Sequence, residues 1–158
     1  MEKLNAKVQK GKSASPSDLL KNASGYLGVL PTSPMECATW ERYRVDKYAT
    51  ICVKTNHYSV PEEFTGKMVD VKLYADRLDI YYNDLAFWSH QRRHTKFKWY
   101  LYLGHYLETL RRKPGALKGA QALDQASHDL KSIYAKYFSH TPRQFIELLH
   151  YQRAKAIS

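Results

Sequence analysis

The sequence predicts a mixed β and α fold: a small antiparallel five-stranded β-barrel followed by a C-terminal helical segment of about three helices. Three observations carry that expectation. Residues 48–88 alternate apolar and polar side chains in short runs, residues 99–153 repeat apolar side chains at intervals of three and four, and Pro and Gly cluster before and between them. At 158 residues, 44 % hydrophobic and 13 % aromatic, the chain has ample material for packed cores. The expected organisation is a linker at 1–44, the barrel at 45–92 and a basic helical tail at 93–158.

The first stretch sets Gly11, Gly25, Gly28, Pro16, Pro31 and Pro34 among serines and lysines with no sustained apolar period, which reads as a linker. One short helix is expected within it, over 17–22. Ser15 can cap that helix, Pro16 suits the first helical position, and Asp18 favours the positive N-terminal end.

Five strands are expected at 48–53, 57–60, 67–74, 78–82 and 85–88, all rich in Val, Ile and Tyr. Turns fall at Thr55-Asn56, Ala75-Asp76 and Asn83-Asp84. In the longest strand Val69, Val71 and Leu73 share one face and Asp70, Lys72 and Tyr74 the other, while Leu78, Ile80 and Tyr82 continue the inward set. Closure into a barrel follows as an expectation, because short strands otherwise leave exposed edges. Cys52 is expected to be buried in its strand, and Cys37 and Cys52 to be free thiols.

The helical period begins at Trp99, with Leu103, Tyr106, Leu107 and Leu110 on one stripe ending at Pro114-Gly115. A second helix is expected from about Ala120, carried by Leu123, Ala126, Leu130, Ile133 and Tyr137. For the third, Thr141, Pro142 and Gln144 form a capping box, and Phe145, Leu148 and Leu149 form the apolar stripe.

Charge separates these parts. From Arg93 to the C-terminus there are 12 basic and four acidic side chains, whereas residues 46–92 hold six and seven. A basic segment beside a near-neutral one suits a face that meets a polyanion, and nucleic acid is the first partner to expect. Two local clusters stand out. Arg92, Arg93, Lys96 and Lys98 interleave with Phe97, Trp99 and Tyr100, a mixture suited to phosphate contact and aromatic packing on nucleic acid. Phe97 and Trp99 equally suit a core beneath the helices. Arg111, Arg112 and Lys113, followed by Lys118, crowd the end of the first helix, where cations serve DNA contact or simply complement the helix dipole.

No constellation for catalysis or for a cofactor stands out. Asp70, Asp76, Asp79 and Asp84 occupy outward strand positions or hairpin turns, where Asp serves turn geometry. His90 and His94 have a spacing that suits one helical face, but no further ligand stands near, so no metal site is expected. Ser59 and Ser89 lack an evident His and orienting acid. The polar N-terminus is no secretory signal, and no run approaches the ~18 apolar residues of a membrane span, so a cytoplasmic location without membrane contact is expected. Residues 134–153 outline two helices joined by a very short link. They read either as a helix-turn-helix, with Arg143, Gln144, Gln152 and Arg153 as polar contacts, or as a protein-docking pair.

Four blocks make a resemblance. Arg44-Val-Asp-Lys-Tyr-Ala-Thr, Asn56-His-Tyr-Ser-Val-Pro61, Val69-Asp-Val-Lys-Leu-Tyr-Ala-Asp-Arg-Leu-Asp-Ile-Tyr81, and His105-Tyr-Leu with Arg112-Lys-Pro-Gly-Ala-Leu117 resemble, in order and spacing, the C-terminal part of IstA-type insertion-sequence transposases. The barrel there is similar to the C-terminal domain of phage Mu transposase. The resemblance implies a non-catalytic DNA-binding module that takes double-stranded DNA as partner and helps hold transposon ends. Such transposases cut and join DNA with an RNase H-like domain whose carboxylates hold two metal ions about 4 Å apart. Residues 15–20 look like the segment closing that domain, so the chain is expected to begin where the nuclease ends and not to be an enzyme by itself. The resemblance also implies other partners: neighbouring transposase subunits, and an AAA+ ATPase helper docking on residues 118–158.

Overall fold

The computed structural model describes residues 5–8, 10–28 and 36–157, so Pro31 and Pro34 lie outside the described residues. Two compact units are present, Met1–Glu36 and Cys37–Ser158. In the first, helix α1 spans Pro16–Ser24, somewhat longer than expected. Ser15 Oγ accepts the Asp18 N–H at 3.2 Å and donates to the Asp18 carboxylate at 2.6 Å, so the side chains at its start satisfy the first turn.

In the second unit the strand half corrects the barrel. Among the described residues seven strands form two sheets: β1 Thr39–Arg44, β2 Thr50–Val53, β3 Asn56–Ser59, β4 Met68–Leu73, β5 Arg77–Tyr82, β6 Leu85–Gln91 and β7 Trp99–Tyr100. One sheet has the order β1-β4-β5-β6 and the other β2-β3-β7. The chain leaves β6 through residues 92–98 and pairs β7 parallel to β3, so the two sheets keep separate ladders and no closed barrel forms among the described residues. Strand β1 lies within the stretch read as linker. Its sequence TWERYR has little aliphatic alternation, and it is held by the ladder to β4 and a bidentate Arg42–Asp70 pair, Nε to Oδ1 at 2.6 Å.

The expected inward set is buried except for Tyr82, which is half-buried against the core. Val69, Val71, Leu73, Leu78 and Ile80 pack with Val45, Ile51, Val53, Tyr58 and Val60 in one core. Asn83 (φ 49°) and Asp84 (φ 62°) make the left-handed pair of a primed hairpin turn between β5 and β6, whose twist matches the strands. Cys52 is exposed, contrary to expectation: Ile51 and Val53 take the inward positions of β2 and leave Cys52 on the outer face.

The helical half begins later than its period suggested. Trp99 and Tyr100 are taken by β7, a 3₁₀ turn follows at Leu103–Tyr106, and only Leu107–Arg112 is α-helical (α2). The second expected helix is divided into α3 Gln121–Asp124 and α4 His128–Ile133, because Ser127 Oγ accepts the Leu130 N–H at 3.3 Å and starts a new helix there. A π turn at Tyr134–Phe138 leads to α5 Pro142–Ile157. On α5 the core-facing set is Phe145, Ile146 and Leu149, while Leu148 is 40 % exposed. Leu103, Leu107, Leu110, Leu117, Leu123 and Tyr134 complete this second core.

Side chains bind the halves together. The Glu62 carboxylate takes the N–H and hydroxyl of Thr109 in α2, Gln125 bridges the Trp99 carbonyl and Leu101 N–H, and Ser59 Oγ lies 2.9 Å from His105 Nδ1. The helices are therefore docked on the strands and are not a loose tail.

Candidate nucleic-acid interface

The 92–98 loop is built around one buried amide. Asn56, 3 % exposed at the start of β3, donates from Nδ2 to the carbonyls of Arg93 (3.0 Å) and Thr95 (2.8 Å) and accepts the Lys98 N–H at Oδ1 (3.1 Å). The hydroxyl of Tyr58 accepts the Arg93 N–H at 3.0 Å, and the His57 N–H reaches the Lys98 carbonyl at 2.8 Å. A loop without regular structure is thus fixed by side chains of the strand beneath it, as buried polar groups demand.

This frame sorts the first predicted cluster. Arg93, Lys96 and Lys98 are exposed, and none forms an ion pair among the described residues. Arg92 differs: its guanidinium donates to the Tyr74 carbonyl at 2.6 Å, bracing the end of β4. Arg92, Arg93 and Lys96 line a hollow of about 250 Å³ together with Lys54, His94 and Asn56. Lys54 is already paired with Glu41 at 3.2 Å, and His94 Nε2 lies 3.2 Å from the Ala75 carbonyl. The strand order brings Lys54 to the loop, which linear spacing did not reveal.

The second cluster is less uniform. Arg111 Nε is 2.8 Å from Glu147 Oε1 and ties α2 to α5, so its charge is partly neutralised. Arg112, Lys113 and Lys118 are exposed, at and beyond the end of α2, and none of this cluster lines the hollow. Among the polar residues of the last helical pair, Arg143, Gln144 and Gln152 are exposed. Arg153 instead turns inward, donating to the Gly104 carbonyl at 3.2 Å.

The aromatics also separate. Trp99 stacks on His57, centroids 4.1 Å apart and planes 8° apart, whereas Phe97 is 78 % exposed. Neither is buried under the helices. A larger cleft of about 850 Å³ lies where Tyr48 and Glu62 face Trp99, Tyr106 and Thr109, and carries none of the eight predicted basic residues.

The histidines serve the junction. His90 Nε2 lies 2.6 Å from the Ser59 carbonyl and burial lowers its pKa. Burial, with a smaller contribution from neighbouring His90 and Arg153, brings His105 down to about 3, so both rings are neutral at pH 7. Asp70 is engaged by Arg42, and Asp79 accepts from Ser89 at 2.6 Å. Among the described residues no three His, Cys, Asp or Glu side chains converge as metal ligands, and no helix is long and apolar enough to cross a membrane.

Two antiparallel-rich sheets, a docked helical half and an unpaired basic loop define a small β-plus-α module with a cationic edge. Comparison with known proteins places it: residues 30–101 match the family described as Mu transposase, C-terminal domain. The chain is 32 % identical over 103 residues to the transposase for insertion sequences IS1326/IS1353 of Pseudomonas aeruginosa, and equally to that of Shigella flexneri, covering 60 % of this chain and 19 % of each relative. It is 27 % identical over 100 residues to the transposase for insertion sequence element IS232 of Bacillus thuringiensis subsp. berliner, covering 61 % of this chain and 23 % of that protein. These matches make residues 30–101 similar to the C-terminal domain of Mu transposase, and the chain similar to part of these insertion-sequence transposases. The chain spans about a fifth of the length of these curated relatives. No solved structure matches it.

Proposed function

We propose that this chain is a non-catalytic DNA-binding module of a DNA transposase, helping to hold transposon-end DNA in the transposition complex. The observation that carries the reading is the Asn56-anchored loop, which presents Arg93, Lys96 and Lys98, without ion-pair partners among the described residues, beside a basic hollow. Fixed cations of this kind contact phosphates and set position without reading bases. Arg112, Lys113 and Lys118 are further exposed cations, with Arg92 and Arg111 in supporting roles because other groups already hold them. The chemistry of strand cutting and joining would belong to a DDE-type catalytic domain of the parent transposase. A salt titration of duplex DNA binding tests the reading, and salt-independent or absent binding refutes it.

A second reading rests on a different surface. Ile133 and Tyr137 are one turn apart and exposed on the α4 side of the helical half, and Leu148 and Tyr151 are likewise exposed on α5. Apolar side chains spaced by helical turns suit docking of another protein. An AAA+ ATPase helper or a neighbouring transposase subunit is the partner this surface would take.

A further inference from the structure

Phe97 sits near the end of the basic loop in a conformation that a side chain with a Cβ seldom adopts. Its φ is 55°, in the left-handed region, where a bulky residue is a steric outlier. No packing contact repays this, because the ring is 78 % exposed. The backbone is held there from below: the Phe97 N–H donates to the Thr55 carbonyl at 3.1 Å, and Asn56 binds the residues on both sides. A strained, rigidly supported and solvent-facing aromatic is the kind of outlier from which function is properly inferred.

Its neighbours say what it faces. Lys96 and Lys98 flank Phe97 in the chain, both exposed, and Arg93 with Lys96 lines the basic hollow of the same loop. An apolar protein surface would have to desolvate these cations, whereas nucleic acid offers phosphates to them and a π-face to the ring. Resting on the DNA-binding reading above, we infer that Phe97 is a stacking wedge that takes an unpaired or unstacked base of DNA, with Lys96 and Lys98 holding the phosphates on either side. The loop backbone is already held by hydrogen bonds from Asn56 and Thr55, so little ordering entropy opposes the contact.

The test compares the full chain on a short duplex carrying one unpaired base with its fully paired counterpart, across a range of salt. The wild-type chain should prefer the unpaired-base duplex by about tenfold, as expected for one stacked base. Phe97→Gly, which fits a positive φ and so keeps the loop folded, should bind the two duplexes alike, and because it removes no charge it should keep the salt dependence of the wild-type chain. Phe97→Trp should keep it. Salt-dependent binding with no preference in the wild-type chain overturns the wedge and leaves the DNA-binding reading intact; absence of binding to either duplex overturns both. Reduced self-association of Phe97→Gly with an unchanged DNA preference would assign the ring to a subunit contact instead and also overturn the wedge.

Discussion

The Glu62 carboxylate accepts both the backbone N–H and the hydroxyl of Thr109, at 3.1 and 2.7 Å, so a residue from the strand half caps a helix of the other. Thr109 is the third residue of α2, one of the positions whose N–H has no partner inside the helix. With Ser59 against His105 and Gln125 bridging Trp99 and Leu101, the two cores share one polar seam. Cys37–Ser158 should therefore unfold in one step, with tryptophan fluorescence and helical circular dichroism tracing a single urea transition. Glu62→Ala should lower stability by about 1 kcal/mol, the usual cost of a lost cap. Two separated transitions in the wild-type chain would refute the coupling.

The same seam decides where the chain tolerates truncation. A cut after Leu117 removes Phe145 and Ile146 from the core that holds Leu103 and Leu107, so it should expose that core and bind a hydrophobic dye. Phe145→Ala in the full chain should cost about 3–5 kcal/mol by leaving a cavity in the same place. In the strand core, Val71→Asp should cost several kcal/mol, since an unpaired carboxylate would replace a side chain with no solvent exposure. Denaturant midpoints near the wild-type value for either variant would contradict these assignments.

What the sequence disclosed and what it hid follow from range. The inward set Val69, Val71, Leu73, Leu78 and Ile80 was legible because strand alternation and a hairpin turn are local signals. Strand β7 was not. Trp99 and Tyr100 carry a helical period with Leu103, and only pairing with His57 and Tyr58, some forty residues earlier, extends them. The separate sheets were hidden for the same reason. Of the candidate site, the cluster Arg92, Arg93, Lys96 and Lys98 was visible as composition. Its sorting was not, because Asn56 reads locally as a turn residue and Glu147, which engages Arg111, lies on another helix.

Acid should loosen the seam before the carboxylates of the strands titrate fully. His90 and His105 are held below their ordinary pKa by burial, His105 at about 3, so in this range the unfolded chain binds protons that the folded chain refuses. The His105 contribution is fully present above the unfolded value near pH 6.5 and is lost as pH falls from there toward 3, and that of His90 is lost in the same direction. The slope is about 1.4 kcal/mol per pH unit for each histidine fully protonated only when unfolded. Urea midpoints at pH 7, 5.5 and 4.5 should fall accordingly, and His105→Gln should make the decline shallower. An unchanged decline in that variant would show that His105 is protonated in the fold.

The salt titration gives the loop its quantitative test. Three unpaired cations, Arg93, Lys96 and Lys98, predict a log-log slope for duplex binding on the order of −3, since each neutralised phosphate contributes about 0.9. Arg93→Ala with Lys96→Ala should weaken binding to all duplex sequences alike and reduce that slope by about 2 in magnitude. Lys7→Ala with Lys10→Ala removes the same charge from exposed positions of the other compact unit and should do far less. Net charge falls equally in the two variants, so a difference between them isolates the placement of charge by Asn56 from charge itself. Asn56→Ala tests that placement directly: it removes no charge, yet by freeing the loop it should weaken binding by several-fold, because flexible cations must be ordered at each contact. Equal losses from the two charge pairs, with Asn56→Ala silent, would mean that overall positive potential binds the DNA and that the anchored loop has no special part in it.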